Sequence, residues 1–134
     1  MIEHELYRFL VSTMSTAVTG AISTRLYIGQ IPQTVTYPCA IMYLISRQDG
    51  IMYDIPADRL QFSCYGDSYS VSKGVADAII SVLKRLNGNI FSGSTISASA
   101  YTVFKTMYQN LTYLYDDSVY KHVSILDMIV QYKV

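Results

Sequence analysis

The segment from Val71 to Leu86 constrains the fold most, because its apolar residues recur at three- and four-residue intervals. This spacing lines up one face of an amphipathic helix. Asn87-Gly88 is a common stop signal for such a helix. Three residues just before it are suitable N-caps: Asp67, Ser68 and Ser70. We therefore predict a helix over 71–86 whose apolar face packs against another element.

Extended segments lie on both sides of this helix. Tyr37–Ile45 is almost continuously apolar, which predicts a strand covered on both faces. Asp58–Tyr65 alternates apolar and polar residues, the period of a half-buried strand. After the helix, Tyr101–Tyr115 and Tyr120–Val134 are rich in strand-forming residues and flank Asp116-Asp117. The last two segments therefore predict a long hairpin with its turn at the two aspartates.

The amino-terminal part completes the predicted architecture. Ile2–Ile22 carries a helical apolar stripe, and Arg25–Ile28 is a short extended patch. Together these elements predict an α+β fold with a mostly antiparallel β-sheet of four to five strands and two α-helices packed against it. The order is αβββαββ or αββαββ. A length of 134 residues, 51% hydrophobic, with no linker or repeat, predicts a single domain over 1–134.

Charge and composition exclude several classes of protein. Ten basic and ten acidic residues give a net charge of zero, whereas a nucleic-acid-binding module normally shows a basic cluster. No apolar stretch approaches the ~18 residues that cross a membrane. The acidic start, MIEHELYRFL, is unlike a signal peptide. We therefore expect a soluble intracellular product that binds neither a membrane nor a specific nucleic-acid sequence, with Cys39 and Cys64 as reduced, buried thiols.

Catalytic and metal-binding motifs are missing from the sequence. His4 and His122 are the only histidines, and neither lies in a nucleophile motif. A Cys64–His122 pair is conceivable from the strand positions, but plain packing is the favoured interpretation. Three aspartates lack the spacing of a calcium loop: Asp49, Asp54 and Asp58. No glycine-rich phosphate loop is present. We expect no catalytic residue, no metal and no cofactor.

Tyrosine is over-represented, with thirteen residues against four phenylalanines and no tryptophan. Tyrosine combines a large apolar area with a polar tip, which suits surfaces that become buried in an assembly. Six positions fall where exposure is expected: Tyr53, Tyr65, Tyr69, Tyr113, Tyr115 and Tyr120. The predicted loop 46–57 is also unusually apolar for a turn. The pattern favours a protein that contacts other proteins, although tyrosines that simply decorate strands remain an open alternative.

Three further segments carry a resemblance to a known family. Arg25-Leu26-Tyr27 is followed ten residues later by Tyr37-Pro38 and an apolar strand. Arg59–Tyr65 then runs through Gly66-Asp67-Ser68 into the predicted helix, and Tyr120–Asp127 opens the last strand. In order and spacing these segments resemble the tail completion, or tail terminator, proteins that join tail to head in long-tailed (siphovirus-type) bacteriophages.

The resemblance implies a non-enzymatic virion protein made in the host bacterial cytoplasm. Such a protein forms a homo-oligomeric ring, commonly a hexamer, that caps the head-proximal end of the tail tube and ends its polymerisation. Its partners are copies of itself, the major tail tube protein and the head–tail connector or stopper protein. DNA could pass through the ring without sequence-specific binding.

The family's contacts come from loops and sheet edges, which here fall on the loop 46–57 and the hairpin turn. The predicted interface residues are Ile51, Met52, Tyr53, Ile55, Tyr115, Asp116, Asp117 and Tyr120. Other interpretations stay open. The chain could be another neck component, such as a stopper or adaptor, or a small α+β ligand-binding or enzymatic domain with a concave pocket.

Overall fold

The computed structural model describes residues 22, 25–30, 32–48, 57–84, 90–91 and 101–133. Seven elements lie within these ranges, in the chain order β1 (Leu26–Ile28), β2 (Cys39–Gln48), β3 (Ala57–Gly66), α1 (Tyr69–Lys84), β4 (Ile90–Phe91), β5 (Tyr101–Asp116) and β6 (Lys121–Lys133). The helix and the long strands lie where the apolar spacing places them.

All six strands belong to one sheet with the order β1-β2-β3-β6-β5-β4. β1 runs parallel to β2, and every other neighbouring pair is antiparallel. Phe62 at the centre of β3 lies opposite Met42 on β2 and Leu126 on β6. The long β5–β6 hairpin thus continues the sheet from β3, and its turn lies beside the end of β3, where Gly66 faces His122.

The core lies between α1 and one face of the sheet, here called the helix face. Alternate residues of the central strands point to this face, since successive side chains of a strand alternate. The buried cluster includes Leu60, Phe62 and Cys64 of β3, Leu126, Met128 and Val130 of β6, and Val75, Ile79, Val82 and Leu83 of α1. Burying each large side chain stabilises the fold by about 1.5–3 kcal/mol. The predicted apolar faces of these elements are therefore the faces that pack.

The predicted fold class is wrong. The described residues form one helix on a six-stranded sheet that is mixed because one of its five strand pairs is parallel, whereas the prediction was two helices on a sheet of four to five strands. Two very short strands account for the difference in the sheet: β1 falls in the extended patch predicted at Arg25–Ile28 but pairs parallel with β2, and β4, which was not predicted, consists of Ile90 and Phe91 alone. Strands of two or three residues have no periodicity of their own, because pairing with a neighbour defines them.

Several predicted segments lie outside the described residues. The first predicted helix is one of them, except for Ile22, which is fully buried in the core. The middle of the predicted loop 46–57 and the serine-rich segment 92–100 are the others.

The start of α1 is fixed by two serines. The Ser68 side chain accepts a hydrogen bond from the backbone N–H of Val71 at 3.2 Å, so Ser68 is the N-cap among the three candidates. Inside the first turn, the Ser72 hydroxyl donates to the Tyr69 carbonyl at 3.0 Å and lies 3.1 Å from the Ser124 hydroxyl. Because Ser72 has one hydroxyl proton, Ser124 donates across the helix–sheet boundary.

This direction predicts unequal effects of two alanine substitutions. Ser72→Ala leaves the buried Ser124 hydroxyl without its acceptor and should cost about 2 kcal/mol of unfolding free energy. Ser124→Ala leaves the Ser72 bond to the Tyr69 carbonyl intact and should cost about 1 kcal/mol. Urea unfolding of both variants checks the order, and a larger loss for Ser124→Ala would show that the donor has been assigned wrongly.

Candidate protein–protein interface

Six of the tyrosines gather at the end of the sheet where β5 turns into β6. We call this region the aromatic end and define it by Tyr37, Tyr65, Tyr69, Tyr113, Tyr115, Tyr120, Lys121, His122 and Asp67. The antiparallel register explains why they meet. Gly66 at the end of β3 faces His122 at the start of β6, which in turn faces Tyr115 near the end of β5.

On the helix face, the aromatic end is a chain of stacked rings. Tyr69, at the start of α1, meets Tyr113 edge to face with ring centroids 4.7 Å apart. Tyr113 stacks on His122 at 5.7 Å, and their side chains share a hydrogen bond between the hydroxyl and Nδ1. Tyr115 also meets His122, edge to face, with ring centroids 5.1 Å apart. The three tyrosines stay 43–47% exposed, so the rings are held in place yet available to a partner.

On the opposite face, a lysine organises the aromatic end. The Lys121 ammonium donates a hydrogen bond to Asp67 and lies 4.8 Å from the centroid of the Tyr37 ring. Tyr37 in turn packs against Tyr65 at 6.2 Å. The cation–π contact and the ion pair connect the turn before α1 to the segment before β2.

The ionisation of these groups follows from their surroundings. Burial raises the pKa of Tyr65 to about 12. Burial also raises the pKa of Tyr37, and the nearby Lys121 opposes that increase. The hydrogen bond to Asp67 raises the pKa of Lys121. At neutral pH the two phenols are therefore uncharged and Lys121 is charged, which keeps the cation–π contact intact.

The hairpin turn presents Tyr120 in an unusual backbone conformation. The Asp116 carboxylate accepts hydrogen bonds from the Ser118 N–H at 3.0 Å and from the Ser118 hydroxyl at 2.6 Å. Tyr120 follows with φ at +54° and is 76% exposed. Left-handed backbone is rare for a bulky residue and costs about 1–2 kcal/mol. A strained residue that buries little of its own ring is a candidate functional position.

Four of the eight predicted interface residues lie in the described part of the chain, all of them at or beside the hairpin turn. Tyr115 and Tyr120 are exposed at the aromatic end, Asp117 is exposed in the turn, and the half-buried Asp116 holds the turn together. The other predicted residues lie outside the described part of the chain: Ile51, Met52, Tyr53 and Ile55. Their segment joins the end of β2 to the start of β3, and Ala57 faces Gln131 at the sheet end far from the hairpin turn. The two predicted segments are thus attached at opposite ends of the sheet.

Sequence reasoning missed part of the aromatic end. Tyr37, Lys121 and the role of His122 as a spacer between two tyrosines were not predicted. The sequence indicates only a helix cap at Asp67, whereas the structure pairs Asp67 with Lys121, 54 positions away. The sequence shows only that these residues lie near turns. Their contacts depend on the register of β3 with β6, which the sequence does not show.

Cys64 and His122, the pair conceivable from the strand positions, are not opposite one another in the sheet. Cys64 is fully buried in the core and faces Ser124, and burial raises the pKa of its thiol. His122 is instead engaged by Tyr113. Within the described ranges, no group of three or more His, Cys, Asp or Glu residues could hold a metal ion. In the same ranges, no helix is long and apolar enough to cross a membrane.

A shallow groove of about 350 Å³ opens at the other end of the sheet, on the face opposite α1. It is lined by Ser46, Ala57, Arg59, Met107, Gln109, Ile129 and Gln131. Its charged residue, Arg59, lies 3.5 Å from the Asp127 carboxylate. The lining offers the Ser46 hydroxyl and two amides, and none of the other lining residues is a carboxylate, histidine or lysine that could activate this hydroxyl. The aromatic end is therefore the stronger candidate site.

Comparisons with known proteins bear on the fold. No protein-family model matches the chain, and no curated protein matches it. Among solved structures, the fold is similar to that of a chain from the "Virion of native gene transfer agent (GTA) particle", with a TM-score of 0.58 and 10% sequence identity. The match covers 87% of this chain and 84% of that chain. The two chains therefore share a fold over most of their length.

Proposed function

We propose that this chain is a non-enzymatic structural protein of a virion and that it works by contacting other proteins. The observation that carries the proposal is the aromatic end, where exposed tyrosine rings are held in place by His122 and a strained Tyr120 stands at the tip. Aromatic side chains fixed before binding are typical of the centres of protein interfaces. The shared fold with a chain of a gene transfer agent virion supports the virion as the setting.

In finer terms, we propose a tail terminator of a siphovirus-type phage. Residues 1–134 would act as one domain in a homo-oligomeric ring, a hexamer in the virion, that caps the head-proximal end of the tail tube. The ring would stop tube growth and present the surface for the head–tail connector or stopper protein. A ring needs a heterologous contact, in which two different patches of neighbouring copies meet.

The distribution of charge suits a ring through which DNA passes. Arg47 forms a bidentate ion pair with Asp58, with both N–O distances at 3.0 Å. Arg59 pairs with Asp127, which also accepts a hydrogen bond from Gln61 at 3.3 Å. Basic groups that are already paired with carboxylates attract phosphates weakly, so a duplex would not adhere to such a surface.

The layout of the sheet suits a protein that joins two bodies. The hairpin turn lies at one end of β3, and the connection that carries Ile51, Met52 and Tyr53 is attached at the other end. A ten-residue strand separates the two ends by about 30 Å. One end of each subunit would therefore face the tail tube and the other the connector.

This layout predicts that the two partners can be lost separately. We expect Ile51, Met52 and Tyr53 changed together to Ser to lose one partner, and Tyr115→Ser to lose the other. Isolated tail tubes and isolated connectors are incubated separately with each protein, and binding is read by co-sedimentation and by electron microscopy of tube ends. Each variant is the matched control for the other, since both replace exposed or loop apolar groups with serine.

The outcomes distinguish the candidate roles. Wild-type protein that collects at one tube end and blocks further growth supports the terminator. Binding to connectors without binding to tubes would instead identify a stopper or adaptor. If both variants bind both partners as the wild type does, neither end of the sheet is an interface and the proposal fails.

A further inference from the structure

The outer edge of β5 is long and lies at the border of the sheet. On its inner side β5 pairs with β6 along nearly its whole length. On its outer side it pairs with β4 at Tyr101 and Thr102. From Met107 to Tyr115, the described part of the chain places no strand against this edge. Half of the backbone N–H and C=O groups there point away from the sheet, which makes the edge a template for another strand.

The sequence of this edge lacks two of the usual protections, charge and proline, and a register shift at Gln109 is the irregularity within it. Exposed edges are normally short or carry charges or proline. Between Lys105 and Asp116 there is no charged residue, no proline and no glycine. Large side chains such as Tyr108 and Leu114 are 45% and 39% exposed. An uncharged, exposed edge of this length is suited to pairing.

We propose that the β5 edges of two copies of this chain pair antiparallel about a two-fold axis at Leu111. Because such a contact joins identical patches, it closes a dimer and does not depend on the head-to-tail ring proposed above. The register shift in β5 indicates how the two edges align, and the charges at its ends indicate that the partner is a second copy of the chain.

The register shift in β5 fixes the alignment. Tyr108 faces Met128 and Leu111 faces Leu126, so both lie on the helix face, and Gln109 is the extra residue between them. With the axis at Leu111, Tyr108 of one copy faces Tyr113 of the other, and Asn110 faces Thr112. Every pair then joins residues of the same face, and the two extra residues fall at symmetric positions. A slip of one residue would place the side chains on opposite faces.

The charges at the ends of the edge agree with the same alignment. Beyond the uncharged run, the position of Lys105 in one copy lies opposite Asp116 in the other, and the two-fold axis repeats this pairing. A parallel, in-register pairing would instead place Lys105 opposite Lys105, and like charges directly opposite are destabilising. Charge complementarity therefore favours a second copy in the antiparallel orientation.

Cysteine cross-linking tests the alignment directly. At a two-fold axis the two Leu111 Cβ atoms would be about 4.5–5.5 Å apart, close to what a disulfide spans. We expect Leu111→Cys to form a covalent dimer under mild oxidation. Tyr113→Cys is the matched control, because the two Tyr113 positions would be roughly 13 Å apart along the strand. The native Cys39 and Cys64 are buried and will not compete.

A charge exchange tests the same alignment without cross-linking. The full chain is first examined by light scattering over a wide range of concentrations, and we expect reversible dimers. Lys105→Glu and Asp116→Lys should each weaken the dimer about twofold to thirtyfold, since two symmetric pairs are lost at once. The double exchange should restore it. Because Asp116 also holds the hairpin turn, this recovery is the decisive observation.

The results that would overturn the inference are equally specific. A wild-type chain that stays monomeric at all concentrations excludes the contact. A dimer in which Tyr113→Cys cross-links and Leu111→Cys does not would show a different surface or register. Failure of the double exchange to recover would do the same. Loss of binding to tail tubes has no bearing on these measurements, so this inference and the proposed function can fail separately.

Discussion

Replacing Gly66 with alanine should destabilise the protein by about 3 kcal/mol, near the upper end of what overpacking costs. Gly66 is the last residue of β3, where the first turn of α1 crosses closely. A Cβ atom at this position would lie 2.8 Å from the backbone nitrogen of Ser72 and 2.8 Å from a Val71 methyl group. A backbone atom in the first helical turn cannot move without moving the helix, so α1 must shift away from the sheet.

Gly74 provides the matched control for this substitution. It lies inside the exposed side of α1, and a Cβ atom there meets nothing within 4 Å. Gly74→Ala should therefore stabilise the protein by about 0.5–1 kcal/mol, because alanine loses less backbone freedom in a helix. Urea unfolding of both variants gives the two free energies. Equal effects at the two glycines would show that the contact of β3 with α1 is looser than the structure has it.

The same shift should reach the aromatic end. Tyr69 opens α1 and packs on Tyr113, and Ser72 bonds to Ser124 from the same turn. Moving this turn away from β3 separates both pairs. Gly66 is therefore the position where helix packing and the candidate interface depend on one another.

Local patterns in the sequence determine the elements, and pairing determines where they meet. The stripe from Val71 to Leu86 predicts α1, and alternation in Leu60, Phe62 and Cys64 predicts which face of β3 is buried. These signals lie within single elements, where side-chain period is set by backbone geometry. The parallel direction of β1 and the two-residue β4 have no such signal, so the predicted sheet has too few strands and lacks the parallel pair.

In the candidate site, too, the sequence predicts features within one segment but not the contacts between distant segments. The surplus of tyrosine predicts a contact surface, and the turn at Asp116-Asp117 indicates Tyr115 and Tyr120 as part of it. Lys121 contacts Tyr37 and Asp67 because β3 and β6 pair in the register that places Gly66 opposite His122. A contact between residues more than fifty positions apart produces no pattern within either segment alone. The sequence therefore predicts Tyr115 and Tyr120 at the turn but not the contacts of Lys121 with Tyr37 and Asp67.

Replacing Tyr120 with asparagine should improve stability and weaken binding at once. Its backbone lies in the left-handed region at φ +54°, which asparagine adopts far more readily than tyrosine. Tyr120→Asn should therefore raise the free energy of unfolding by about 1 kcal/mol, since a ring that is 76% exposed contributes little packing.

The loss of function should be larger than the gain in stability. A tyrosine that acts as an interface hot spot is worth about 2 kcal/mol or more, so Tyr120→Asn should weaken binding to the partner at the aromatic end by roughly thirtyfold. Tyr120→Phe keeps both the ring and the strain and should leave stability and binding close to wild type. Binding is measured with the tube and connector preparations, and stability by urea unfolding. A Tyr120→Asn variant that binds normally would leave the strain at this position without a functional reason. A substitution that raises the free energy of unfolding while it weakens binding is expected at an interface position. Selection for binding can keep a side chain there even though it makes the folded chain less stable.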